Sequence, residues 1–223
     1  MNLILNIDTA IEGASICLAN GDELIGIVNN PSQKDSASWI QPAIQQLMQA
    51  HNFSLKQLCA VAVSNGPGSY TGLRVGLSTA KGLCYALKIP LIAVNTLKTM
   101  AVAAIGQPTD LLCPMIDARR MEVFTAVFDK HLIEIVPQAN RVVDATSFSK
   151  LLEQHCITFF GNGAGKVETL ITSKNARFIN LQFDARYMCL LTNDLYLRQQ
   201  FADLAYSEPN YGKDFYTPTK PQA

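Results

Sequence analysis

Short apolar runs bounded by polar or turn residues occupy positions 2–8, 14–19 and 23–28, and each predicts a strand. Asn20-Gly21 joins the last two. That dipeptide suits the positive φ angles of a tight hairpin turn, so the chain is expected to open as an antiparallel meander. After a polar loop at 29–35 the period changes. Over 36–51 Ile40, Ile44, Leu47 and Met48 recur at helical spacing, and Pro42 predicts a kink or a start just before Trp39. Positions 59–63 predict a strand, 70–87 a helix, 91–94 a strand and 96–105 a helix, giving the order βββαβαβα.

A three-strand meander followed by alternating helices and strands is the unit of an α/β, ribonuclease H-like (actin-like, ASKHA) fold, whose parallel strands need helical crossovers. Turn residues cluster at Gly106-Gln107-Pro108-Thr109. Beyond them 111–117, 122–128 and 132–137 predict a second, degenerate meander. A helix at 147–155, strands at 156–160 and 177–181, and a long helix at 185–201 follow. Two lobes are therefore expected, 1–105 and 106–223. The tail from Ser207 has no period, and Tyr211, Phe215 and Tyr216 are its candidate packing residues.

Composition narrows the function classes. Of 223 residues 48% are apolar and 16% charged, against about 25% charged in an average soluble domain, so a disordered chain is excluded and part of the burial is open to a partner. Eighteen Lys+Arg balance eighteen Asp+Glu, leaving no general positive field for nucleic acid or membranes. Apolar runs such as 100–105 fall short of the roughly 20 residues of a membrane span. At the N-terminus Asp8 and Glu12 interrupt any secretory h-region. The cysteines Cys17, Cys59, Cys84, Cys113, Cys156 and Cys189 include no CxxC pair and are expected to be reduced, buried residues of a cytoplasmic protein.

The most informative stretch is Ser64-Asn65-Gly66-Pro67-Gly68-Ser69-Tyr70-Thr71-Gly72-Leu73-Arg74-Val75-Gly76, between a predicted strand and a predicted helix. Gly66, Pro67 and Gly68 force a turn. Ser69 or Thr71 can cap the helix, and the backbone N–H groups left at its start are either an anion site or part of a plain turn. No Walker Lys-Ser/Thr follows. Gly72, Gly76 and Ala80 form a smooth strip that a neighbouring helix can approach. Since a helical glycine costs about 1 kcal/mol relative to alanine, the strip needs a packing reason, internal or intersubunit. Asp8 and Thr9 end the first strand where actin-like ATPases turn around phosphate and metal. Asp8 is a candidate to hold Mg²⁺ through water and Ser15 to touch a phosphate. Asp117 and Arg119 occupy the equivalent end in the second half, as a candidate hairpin clamp; structural capping is the favoured reading of these positions. His51, His131 and His155 are scattered, with no HxxxH or HExxH pair, and no GxSxG elbow occurs, so no metal centre or nucleophile is nominated.

The segments 4–10, 65–76, 80–83, 94–97 and 116–119 together resemble the TsaB (YeaZ) family, strongly in the first half and only in length and element order after about Phe128. The resemblance implies an inactive paralogue of TsaD, the subunit that transfers threonylcarbamoyl from threonylcarbamoyl-AMP to the adenosine beside the anticodon of tRNAs reading ANN codons. It implies a heterodimer with a TsaD-like transferase, a TsaE-like ATPase as a further partner, and tRNA contact through the complex. No cofactor is expected to be tightly bound, and ATP or ADP with Mg²⁺ belongs only to the complex. The family's interface uses the first two helices, which map to 36–51 and 70–87. That nominates Trp39, Ile40, Ala43, Leu47, Tyr70, Leu73, Arg74, Gly76, Leu77, Ala80, Lys81 and Cys84, with Asp8, Thr9, Gly66, Gly68, Ser69 and Asp117 as a vestigial nucleotide site. On this reading Gly76→Arg, or Leu73→Glu with Leu77→Glu, abolishes partner binding and leaves the fold intact. A homodimer through the same helices is the competing assembly. Many relatives carry a histidine where this chain has Ser36. The alternative reading is an independent ATP-dependent enzyme of the actin/sugar-kinase class, using Asp8, Asp117 and the 66–72 loop.

Overall fold

Two five-stranded sheets repeat one plan. In the first, β1 (Leu3–Asp8), buried at every position, pairs antiparallel with β2 (Ala14–Asn20), and β2 with β3 (Glu23–Asn30). On its other side β1 pairs parallel with β4 (Ala60–Ser64), and β4 with β5 (Leu91–Val94), giving the order β3-β2-β1-β4-β5. The second sheet contains β6 (Leu111–Asp117), β7 (Glu122–Asp129), β8 (Glu134–Val142), β9 (Ile157–Phe160) and β10 (Ala176–Ile179). Its order, β8-β7-β6-β9-β10, carries the same sequence of antiparallel, antiparallel, parallel and parallel pairings. The second meander is thus a duplication of the first. This computed structural model describes residues 1–11, 13–32 and 35–213; Phe215 and Tyr216 lie outside the described residues.

Helices α1 (Ser36–Ala50) and α2 (Tyr70–Leu87) cover one face of the first sheet, meeting Leu5, Ile7, Ile16, Val61 and Val63. α3 (Thr96–Ala103) lies between the lobes, with Leu97 and Met100 against Leu112, Ile116 and Phe160 of the second sheet. Pro42 neither starts nor interrupts α1. The bond it forgoes is to the Ser38 carbonyl, and both residues face solvent, where water takes its place. Pro137 likewise sits inside β8, a sheet edge where no ladder donor is required.

The predicted split at 105/106 divides the two sheets, but the C-terminal end of the chain returns to the first. The other face of the first sheet, Ile4, Cys17, Ala62 and Ile92, is covered by Ala185, Met188 and Cys189 from the far end of the sequence. The helix expected at 185–201 is a 3-10 turn, Ala185–Met188, followed by α6 (Cys189–Leu197). Gln199, at φ 55°, then turns the chain so that Ala202 bridges to Leu91 at the edge of the first sheet. Two further helices are short, α4 (Ser149–Leu152) in place of a predicted 147–155, and α5 (Gly165–Glu168), which no period announced. Among the described residues no helix is long and apolar enough to cross a membrane.

Candidate functional site

The glycine-rich turn connects β4 to α2 as predicted, through a cis Gly66–Pro67 peptide, and Ser69 caps the helix by accepting from Gly72 N–H at 3.3 Å. Its other groups are used inside the protein. Gly66 N–H donates to Thr96 Oγ1 (3.2 Å), and Ser69 N–H to the Ala10 carbonyl (2.6 Å). A side chain at Gly68 would overlap the Ala10 carbonyl, and one at Gly66 the Asn210 carbonyl. These glycines let backbone approach backbone; the named donors form no open phosphate cradle.

The helical glycines serve the same seam. Thr9 Oγ–H donates to the Gly72 carbonyl at 2.7 Å. A Cβ at Gly72 would overlap the Thr9 carbonyl, and one at Gly76 would overlap Thr9 Oγ1 and press on Val63. The strip Gly72, Gly76, Ala80 therefore dovetails α2 onto β1 and β4 of its own chain. The interface assignment is corrected accordingly. Ile40, Ala43, Leu47, Leu73, Gly76, Leu77, Ala80 and Cys84 are buried in the chain's own core, because the apolar stripes of both helices point at the sheet. Gly76→Arg or Glu at Leu73 and Leu77 would break the fold before any interface. Of the nominated set, Tyr70 and Arg74 are exposed, and Trp39 and Lys81 partly so.

Arg74 and Lys81 are tied to the C-terminal segment. The Arg74 guanidinium lies 4.1 Å from the Tyr70 ring centre and donates to Tyr211 Oη (2.8 Å), and Lys81 Nζ donates to the Ala205 carbonyl (3.1 Å). Asn210 N–H reaches the Asn65 carbonyl (2.7 Å), and Lys213 pairs with Glu122 of the second sheet. Residues 201–213 thus strap the two lobes together, with Tyr211 packing as predicted.

The six residues proposed for a nucleotide site fall into three settings. Thr9, Gly66, Gly68 and Ser69 lie in the packed seam. Asp8 lines an interlobe cleft of about 540 Å³, with Ser15, Asn30, Asn162, Gln182 and Asp184 among the other walls, and no Lys or Arg among the described residues lines it. Burial pushes the Asp8 carboxyl above its ordinary value against the pull of the Ala10 N–H (3.0 Å) and the Ser64 hydroxyl, and Asp184 adds repulsion. Ser15 Oγ accepts from Ala185 N–H at 2.8 Å. Among the described lining residues, two carboxylates and no cation offer nothing to neutralise a triphosphate. Asp117 is exposed instead. Partial burial raises its carboxyl, but Lys166 (2.5 Å) and the Arg119 N–H (2.6 Å) outweigh it and hold the group below its ordinary value. The clamp with Arg119 forms through the backbone N–H, Arg119 taking φ 70°.

Sequence reasoning missed Lys166, Asn162 and the cleft wall at 180–184. One signal was available: Gly161-Asn162-Gly163 follows β9 as Gly66-Pro67-Gly68 follows β4. Its glycines approach Met115 and Ile116 of β6, and Asn162 Oδ1 accepts from Asp117 N–H (2.9 Å). On the outer side of α1 and α2, Pro42, Ile44, Gln45, Met48, Phe53 and Leu83 help to line a groove of about 530 Å³ that no charged side chain among the described residues lines. Tyr85, 79% exposed, stands two residues beyond Leu83 on α2.

Two duplicated meander lobes facing a cleft define an actin-like, ribonuclease H-like α/β protein. Residues 18–212 match the model of the family described as TsaD, tRNA N6-adenosine threonylcarbamoyltransferase, and the chain belongs to that family. It is 36% identical to the tRNA threonylcarbamoyladenosine biosynthesis protein TsaB of Bacillus subtilis over 141 residues, 61% of this chain and 61% of that protein. To its namesake in Escherichia coli it is 36% identical over 129 residues, 57% of this chain and 55% of that one. The matches thus span between half and two thirds of these relatives' length. A solved Pseudomonas aeruginosa protein, described by its similarity to the peptidase YeaZ, superposes with a TM-score of 0.81 at 23% identity, covering 96% of this chain and all of that one, and so shares the fold. The resemblance to TsaB (YeaZ) proteins stands on these matches.

Proposed function

We propose that this chain is a non-catalytic subunit that binds and activates a TsaD-like transferase in forming threonylcarbamoyladenosine next to the anticodon of tRNAs reading ANN codons. The observation that carries the non-catalytic reading is the closed seam: the turn best placed to hold phosphates spends Gly66 N–H, Ser69 N–H and the Thr9 hydroxyl on the chain's own atoms. Relatives named for threonylcarbamoyladenosine biosynthesis supply the product. Nucleotide and Mg²⁺ act at the level of the complex, a TsaE-like ATPase joins the pair, tRNA is met through the assembly, and the setting is the cytoplasm. The partner face is the outer side of α1 and α2, where Gln45 and Leu83 line an uncharged groove and Tyr85 stands exposed elsewhere on α2.

The test omits this chain from a mixture of tRNA, threonine, bicarbonate and ATP with the TsaC-, TsaD- and TsaE-like proteins of the same organism. Nucleoside mass spectrometry should find the modified adenosine only when the chain is present; equal yield without it overturns the reading. Tyr85→Ala should leave the melting temperature unchanged and weaken binding to the TsaD-like partner about tenfold or more, as expected of an exposed aromatic anchor. Unchanged binding removes this face from the interface.

A further inference from the structure

Cys17 on β2 and Cys189 at the start of α6 are 172 positions apart in sequence, yet their sulfurs lie 3.6 Å apart. Both side chains are buried, at 0% and 3% exposure. The Asn6 amide, fully buried on β1, points its N–H at Cys189 Sγ (4.0 Å), and its oxygen is without a hydrogen-bond partner. The second acceptor near the Cys17 thiol is the Ala185 carbonyl, at 3.2 Å. Asymmetry follows: Cys17 is raised by its hydrogen bond with Cys189 and by burial, whereas the same hydrogen bond lowers Cys189. The other buried thiols lack such a neighbour, and burial pushes Cys84 up to about 11 and Cys113 up to about 12.

We propose that Cys17 and Cys189 form an intramolecular disulfide when the folded chain meets a small peroxide, a reversible modification site that staples the C-terminal segment to the first sheet. The Cys189 thiolate attacks one peroxide oxygen, the O–O bond breaks, and a sulfenic acid and hydroxide result. Cys17 gives its proton to that hydroxide and attacks the Cys189 sulfur; the S–O bond breaks and the leaving oxygen departs as water with a proton from solvent. In sum two thiols lose two electrons and two protons, and the peroxide is reduced to two waters. The sulfurs must close from 3.6 Å to the roughly 2.05 Å of a disulfide. The thiol leaves the Ala185 carbonyl as it reacts, so the bond is made beside Asp184 and Ser15 on the cleft wall.

The full chain is exposed to hydrogen peroxide, its remaining thiols are alkylated, and the digest is read by mass spectrometry. The expected product joins the peptides bearing Cys17 and Cys189, is lighter by two hydrogens, and separates again on reduction. A chain unfolded in urea before oxidation should give scrambled pairs instead. The same staple should form in a Cys59→Ser, Cys156→Ser variant, which removes the two partly exposed thiols, and oxidation should raise its melting temperature by several degrees. Alkylation of Cys17 and Cys189 after peroxide, separate sulfinic acids on them, or pairing through Cys59 or Cys156 in the wild type overturns the proposal.

Discussion

The two lobes place the same local device at the same point and put it in opposite surroundings. At the end of β1, Asp8 accepts from the N–H two residues on, at 3.0 Å; at the end of β6, Asp117 accepts from the N–H two residues on, at 2.6 Å. In each lobe a Gly-x-Gly turn after the fourth strand leans on that strand end. The first lobe then spends 18 residues on α2, dovetailed through Gly72 and Gly76, and buries Asp8. The second spends four on α5, where Gly165 has open space around it, and leaves Asp117 paired with Lys166 in water. A duplicated backbone therefore does not carry duplicated electrostatics. What packs beside the carboxylate decides whether it costs or contributes stability.

The sharpest way to break the comparison is through the glycines. Gly76→Arg drives a large side chain into Thr9 and Val63 and should cost upward of about 4 kcal/mol, seen as loss of a cooperative melt. Gly165→Ala should shift stability by no more than about 1 kcal/mol, and in the favourable direction, since a helical alanine is preferred. The carboxylates come next. With its native value raised above the ordinary 3.8, Asp8 holds its proton in the folded state over a range where the unfolded chain has lost it. Stability therefore falls as pH rises through that range, and the full cost is present above it. Asp8→Asn keeps an oxygen for the Ala10 N–H and should gain about 1 kcal/mol at neutral pH, a gain that shrinks in urea titrations as pH is lowered.

Asp117 has the opposite sign. Its native value is lowered, so its contribution is present above 3.8 and is lost as pH falls through the native value. The carboxylate is 40% exposed, which limits the pair to about 0.5 kcal/mol. Lys166→Ala should cost about that much at neutral pH, with the difference from wild type disappearing in acid. An equal loss at both pH values would mean that the lysine acts through packing alone.

What the residues announced in advance follows the range over which each signal acts. Hairpin and helix periods are local, so α2, β5 and β6 occur within the predicted bounds, and the repeat of the meander was readable from its strands. The Ser69 cap and the Asp117–Arg119 clamp, both within three residues, were also readable. The direction of the glycine strip was not, because a smooth helix face fits a partner and an internal sheet equally well; only Thr9, 63 residues from Gly72, decides between them. Lys166 meets Asp117 across 49 positions and Cys17 meets Cys189 across 172, and no period records such encounters.

The cover of the first sheet has a consequence for how the protein is made. Its strands have all emerged by Val94, but the residues that close their second face begin at Ala185. At roughly 5–20 residues per second of synthesis, the growing chain carries Ile4, Ala62 and Ile92 on an uncovered apolar surface for several seconds. A holding chaperone on the ribosome would meet that surface first, and Ala185, Met188 and Cys189 are the residues whose arrival would displace it.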